Sequence, residues 1–205
     1  MHEMFQQLST MRLVPVIVIN DATKAVPLAK ALCEGGLPCA EVTFRTVAAP
    51  DAIAAIAKEM PDMLLGAGTV LTTAQVDRAL AAGAKFIVAP GLNPDVVRYC
   101  QSKNVPVLPG VCTPSEVEQG LSLGLDALKF FPAEAAGGVS MIKSLGGPYG
   151  NVKFMPTGGI SQKNLHEYLA CKNVFACGGS WMVKDELIEA SDFATITKLT
   201  QSAVL

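Results

Sequence analysis

A lysine stands among large apolar neighbours in Leu128-Lys129-Phe130-Phe131-Pro132. In an apolar strand such a side chain snorkels its ammonium to solvent, anchors the strand end through a salt bridge, or stays desolvated. A desolvated amine is a nucleophile that attacks a carbonyl to form a Schiff base, an electron sink for breaking a neighbouring carbon–carbon bond. A carboxylate must then move the protons. Glu41-Val42-Thr43-Phe44-Arg45 supplies one. If this stretch is extended, Glu41, Thr43 and Arg45 share one face at intervals of roughly 6–7 Å, and Val42 and Phe44 take the other. The polar face then lines an interior, or it belongs to a solvated edge strand carrying an ion pair. Two glycine pairs complete the set, in Pro156-Thr157-Gly158-Gly159 and Gly178-Gly179-Ser180. Glycines let backbone N–H groups approach an anion, and a helix starting there would favour negative charge. Together the pairs read as a phosphate site; either alone would also serve as an ordinary turn.

Metal and nucleotide chemistry have little to work with. His2 and His166 form no cluster, so no metal is expected. Cys33, Cys39, Cys100, Cys112, Cys171 and Cys177 contain no Cys-x-x-Cys pair and read as mostly buried thiols. Cys39 shares the parity of Glu41 and is assigned no chemistry. Neither a dinucleotide fingerprint nor a Walker loop is present, and no cofactor is expected.

These residues need a frame, and the chain repeats one. Apolar, β-branched runs occur at 13–19, 39–44, 63–70, 86–90, 105–111, 127–131, 152–158 and 174–179, with starts 19 to 26 residues apart. Helical periods with start signals lie between them. Pro50 and Asp51 open a stretch with Ile53, Ile56, Ala57 and Met60 on one face; Thr72 with Gln75, and Thr113 with Glu116, have capping-box spacing; Asn93-Pro94 is a third start. Gly35, Gly83 and Gly124 sit where helices should stop, and Pro27 is tolerable if its helix begins near Thr23. Eight such units in one domain, 1–205, predict a parallel (β/α)8 barrel with its site at the C-terminal mouth, the loops after strands seven and eight being the recurrent phosphate site. A doubly wound open sheet is the alternative, but ionisable groups in mid-strand suit a barrel interior better.

Composition narrows the partners. The 205 residues are 50% hydrophobic and 17% charged, the balance of a globular chain with a large core. Sixteen basic against eighteen acidic residues give a net charge of −2 without a basic run, so nucleic acid is not an expected partner. No apolar stretch has membrane-spanning length, and the first dozen residues do not read as a signal peptide; cytoplasm is the expected compartment.

The motifs EVTFR, GAGTV, APG, LKFFPAE, PTGGIS and GGSW, met in this order over nearly the whole chain, resemble the 2-keto-3-deoxy-6-phosphogluconate and 2-keto-4-hydroxyglutarate aldolase family. The resemblance implies a metal-independent class I lyase, cytoplasmic and homotrimeric, that cleaves a 2-keto sugar acid phosphate to pyruvate and D-glyceraldehyde 3-phosphate. It implies Lys129 as the Schiff-base lysine, Glu41 as general acid and base, and Arg45 as partner of the substrate carboxylate. Thr69 and Pro90 would line the pyruvate end, with Phe131 packed near the imine. Thr157, Gly158, Gly159, Gly179 and Ser180 would form the distal end, Gly159 and Ser180 holding phosphate. Phe44, Cys112 and Met155 occupy positions that look variable in the family. Three other readings stay open: the galactonate epimer as substrate, a sugar-phosphate epimerase or isomerase on the same barrel, and a non-catalytic sugar-acid binding protein.

Overall fold

The computed structural model of the chain describes residues 1–204. Nine strands, all parallel to their partners, alternate with helices in an α/β fold. β1 (Leu13–Ile17), β2 (Cys39–Thr43), β3 (Leu64–Gly68), β4 (Phe86–Val88), β5 (Val107–Leu108) and β9 (Cys177–Gly179) form one sheet in the order β5-β4-β3-β2-β1-β9. β6 (Gly110–Val111), β7 (Ala127–Phe130) and β8 (Lys153–Pro156) form a second.

Every expected strand is present, each trimmed at one end or both. The run 105–111 is divided into β5 and β6 at Pro109, which has no N–H to donate to a ladder. Its carbonyl still accepts from Lys129 N at 2.9 Å. On the far side of the second sheet, bridges Phe154–Val174 and Thr157–Gly178 link β8 and the segment after it to the chain around β9.

The helices follow their start signals. They are α2 (Ala25–Glu34), α3 (Ala49–Glu59), α4 (Thr73–Ala81), α5 (Pro94–Ser102), α6 (Pro114–Ser122), α7 (Gly138–Gly146), α8 (Leu165–Leu169), α9 (Asp185–Glu189) and α10 (Phe193–Ala203), preceded by α1 (Glu3–Met11). Reciprocal capping boxes open α4 at Thr72/Gln75 and α6 at Thr113/Glu116, and the Asn93 side chain caps α5. Pro27 lies in the first turn of α2, where its missing N–H costs nothing. Gly83 and Gly124 take left-handed φ as helix stops should, but at the end of α2 that residue is Gly36 (φ +95°); Gly35 still belongs to the last turn.

Strand parity divides the core. Ala40, Val42, Leu65, Ala67, Leu128 and Phe130 point to the helices. The opposite parity, from both sheets, meets in a second cluster of Val14, Cys39, Leu64, Phe86, Val88, Leu108, Ala127 and Met155. α1, which was not among the expected elements, floors that cluster with Phe5 and Leu8. It begins at His2, whose Nδ1 accepts from Met4 N at 3.1 Å. Among the described residues no helix is long and apolar enough to cross a membrane.

Candidate active site

Above the floor, the inward positions change from apolar to ionisable. Glu41 follows Cys39 on β2 at the same parity, and Lys129 follows Ala127 on β7. Both side chains are almost fully buried, at 1% and 7% exposure, and Lys129 Nζ donates to Glu41 Oε1 at 3.4 Å. Of the three states open to the lysine, the structure combines two: it stays desolvated and is held in a salt bridge. Two charges are held in a poorly solvating interior, where each needs the other. The pair is incompletely satisfied: Glu41 Oε2 is buried without a hydrogen-bond partner. An orphaned carboxylate oxygen beside a buried amine is costly for folding and useful for proton transfer.

Glycines clear the space. Gly66 of β3 pairs in register with Glu41, and a Cβ at Gly68 would stand 1.9 Å from Glu41 Oε1. Gly110 pairs with Lys129, and a Cβ there would meet the Pro90 carbonyl oxygen at 2.1 Å. Pro90 is thus pressed against β6, the strand that pairs with the lysine's own. Beneath the pair, Cys39 Sγ donates to the Leu13 carbonyl at 3.4 Å, and burial pushes its thiol up to about 12, so it stays neutral.

Towards the C-terminal ends of the strands the site opens. Thr43 Oγ1 donates to the Ile17 carbonyl at 2.9 Å, which makes it a tie between β1 and β2. Arg45, just past β2, is exposed and donates from Nε to Thr69 Oγ1 at 3.2 Å. The Phe131 ring centroid is 5.2 Å from Lys129 Nζ. Phe131 also lines a cavity of about 850 Å³ whose wall includes Arg45, Thr157, Gly158, Gly159, Gly179 and Ser180. Lys129, Glu41, Thr69 and Pro90 are not on that wall; Phe131 and Arg45 connect the two groups. Thr157 is 7% exposed, and its Oγ1 has no partner.

The glycine loops carry a correction. Neither opens directly into a helix: α8 starts only at Leu165 and α9 at Asp185, and each has five residues. Gly158 and Gly159 have φ of +102° and +81°, left-handed conformations that favour glycine, and they sit in a loop six residues or more before α8. Any anion there meets loop backbone in place of a helix end. Gly179 also has a second use, because a Cβ on it would lie 2.1 Å from Trp181 Cζ3. Trp181 and Lys184, both on the cavity wall, were missed from the sequence. The Trp181 Nε1 is buried without a partner. Its signal was the chain's one tryptophan directly after Gly178-Gly179-Ser180. His166 is exposed on α8.

A buried lysine with an adjacent carboxylate, below a mouth offering a guanidinium and a glycine loop, defines a class of α/β enzyme that handles small anionic carbonyl compounds through an amine. The model of the KDPG and KHG aldolases matches residues 4–199, and the chain belongs to that family. It is 50% identical over 200 residues to a 2-dehydro-3-deoxy-phosphogluconate aldolase of Treponema pallidum, covering 98% of this chain and 95% of that protein. The KDPG aldolase of Legionella pneumophila, solved with pyruvate as a covalent carbinolamine intermediate, superposes with a TM-score of 0.96 at 41% identity, covering 100% of this chain and 99% of that one. The Zymomonas mobilis 2-keto-3-deoxy-6-phosphogluconate aldolase, solved with 3-phosphoglycerate, does so at 0.92 and 41%, covering 98% and 94%.

Proposed function

We propose that the chain is a class I aldolase that reversibly cleaves 2-keto-3-deoxy-6-phosphogluconate to pyruvate and D-glyceraldehyde 3-phosphate, and by the same steps 2-keto-4-hydroxyglutarate to pyruvate and glyoxylate. The buried Lys129–Glu41 pair carries this reading. Glu41 takes a proton from the Lys129 ammonium, freeing the amine to attack the C2 ketone. Glu41 returns that proton to the carbinolamine hydroxyl, which leaves as water and gives an iminium. Glu41, again as carboxylate, takes the C4 hydroxyl proton while the C3–C4 electrons move into the iminium; the aldehyde leaves and an enamine remains. Glu41 returns the proton to C3, and water releases pyruvate from the lysine. The covalent carbinolamine in the Legionella relative is the adduct the first step would form.

Arg45 would hold the substrate carboxylate, with Thr69 and Pro90 around the pyruvate end and Phe131 over the imine. The backbone of Gly158 and Gly159, with Thr157, Gly179 and Ser180, would receive the phosphate. The frame is read as one catalytic domain, 1–205, in which the two sheets act as a single (β/α)8 barrel. Support comes from the shared inner cluster, the Pro109 junction on one side and the Thr157–Gly178 bridge on the other. A cytoplasmic homotrimer is part of the same reading; Val47, 95% exposed, is an apolar side chain that a second copy would cover. Sedimentation should give three times the chain mass.

Borohydride reduction in the presence of pyruvate, followed by peptide mapping, tests the mechanism. Pyruvate should be fixed on Lys129. Lys129→Ala should neither trap pyruvate nor cleave substrate, while Glu41→Gln should trap pyruvate and cleave roughly 10²–10⁴ more slowly. No adduct in the folded protein would overturn the aldolase reading and favour an epimerase, which needs no covalent imine. Full cleavage by Lys129→Ala would overturn it equally.

A further inference from the structure

Glu134 and Tyr168 take no part in the steps above, yet both are built into the wall behind the Gly158–Gly159 loop. Glu134 follows the lysine strand by four residues, and Tyr168 lies on α8, beyond the loop. Tyr168 is completely buried, and its hydroxyl donates to Glu134 Oε1. Burial, then the Glu134 carboxylate, pushes the phenol well above its ordinary range, so the hydroxyl stays a donor across the physiological span. Gly138, the first residue of α7, admits the pair: a Cβ there would be 3.2 Å from the Tyr168 hydroxyl and 3.3 Å from Glu134 Oε1. A carboxylate at the start of that helix is also favoured by its dipole.

The glycine loop is fastened to the segment that carries Glu134. Ala133 N donates to the Thr157 carbonyl at 2.8 Å and Glu134 N to the Gly158 carbonyl at 3.0 Å. The Glu134 side chain fills the place that a side chain on Gly159 would need, its Cγ lying 2.4 Å from that Cβ position. On the opposite side Asn164 Nδ2 donates to the Gly159 carbonyl at 3.1 Å. Glu134 is absent from the cavity wall. The Tyr168 hydrogen bond thus holds the carboxylate of the otherwise exposed Glu134 and keeps the glutamate stem packed on the loop.

We propose that the Glu134–Tyr168 hydrogen bond is a clamp that positions the Gly158–Gly159 backbone for the substrate phosphate at a set distance from Lys129. Glu134 and Tyr168 are positioning residues: neither touches substrate, and they govern selectivity for phosphorylated over unphosphorylated keto acids. This rests on the phosphate assignment made for the glycine loop.

The test is a calorimetric titration of inorganic phosphate into the wild-type protein, Glu134→Gln, Glu134→Ala and Tyr168→Phe, with borohydride trapping of pyruvate run in parallel. Glu134→Gln keeps an oxygen that accepts from Tyr168 and should bind phosphate as the wild type does. Glu134→Ala and Tyr168→Phe should bind it roughly tenfold more weakly, as expected for one lost hydrogen bond to an ionised group. Pyruvate trapping should be equal in all four. Tyr168→Phe retains the charge and so separates the tether from electrostatics. Unchanged phosphate affinity in Glu134→Ala and Tyr168→Phe would overturn the clamp. So would a Glu134→Gln variant as weak as Glu134→Ala, a parallel loss of pyruvate trapping, or a wild type that does not bind phosphate. If the affinities rank as expected but no form traps pyruvate, the clamp stands and the aldolase reading alone falls.

Discussion

Gly68 illustrates how a missing side chain can serve a catalytic one. Its hydrogen leaves room for a carboxylate oxygen that a methyl group would meet at 1.9 Å. In Gly68→Ala the new Cβ is fixed by the backbone, so the Glu41 carboxylate has to swing away from Lys129. Pyruvate trapping should survive, because the lysine keeps its place. Cleavage should fall by about 10²-fold, the effect of displacing a reacting group by around an ångström. Steady-state cleavage compared with trapping in the same preparation would check this, and undiminished cleavage would mean that the carboxylate has slack. The unpartnered Oε2 of Glu41 belongs to the same reasoning. A buried acceptor without a donor is destabilising, and it persists here next to the group from which protons must move.

At the scale of elements, the capping boxes join helix stability to pH. Glu116 Oε2 accepts from Cys112 N at 2.8 Å, Thr113 N at 2.9 Å and Thr113 Oγ1 at 2.9 Å. Partial burial pushes this carboxyl up, but the hydrogen bonds outweigh it and hold the group below its ordinary 4.5. A carboxyl depressed in the folded state stabilises above its unfolded value, and the contribution is lost as pH falls through the folded value. Glu116→Ala should therefore cost about 1 kcal/mol at pH 7, as lost caps do. The gap to the wild type should close as pH falls below the ordinary 4.5 and through the lower folded value. Urea titrations at several pH values would measure the gap, and a pH-independent difference would assign the loss to packing.

At the scale of the molecule, α1 is structural floor for the site at the other end. Phe5 stands 6.4 Å from Phe86 and 6.2 Å from Phe175, ring centre to ring centre, beneath the layer that holds Cys39 and Met155. Phe5→Ala should cost about 3–5 kcal/mol, the usual loss for a buried aromatic. The midpoint of urea unfolding should drop accordingly while the Lys129–Glu41 chemistry persists in the folded fraction. A loss below 1 kcal/mol would show that the floor collapses to refill the space.

Alternation and periodicity were enough to read the parallel βα order, the parity of Cys39, Glu41 and Thr43, and an ionisable lysine in an apolar strand. Each of these is written in neighbouring residues, because a strand repeats every two positions and a helix every 3.6. Motif order carried the family. Partnership between distant segments was not legible. Glu41 and Lys129 meet across 88 positions only because the two sheets turn one face to a shared interior. α1 escaped notice since its short apolar face gains meaning only against a floor built by other strands. The same holds for the Trp181 seat on Gly179 and for the bond between Glu134 and Tyr168, 34 residues apart. Local sequence records which side of an element is to be buried; which groups then face one another is decided by ladder register and packing.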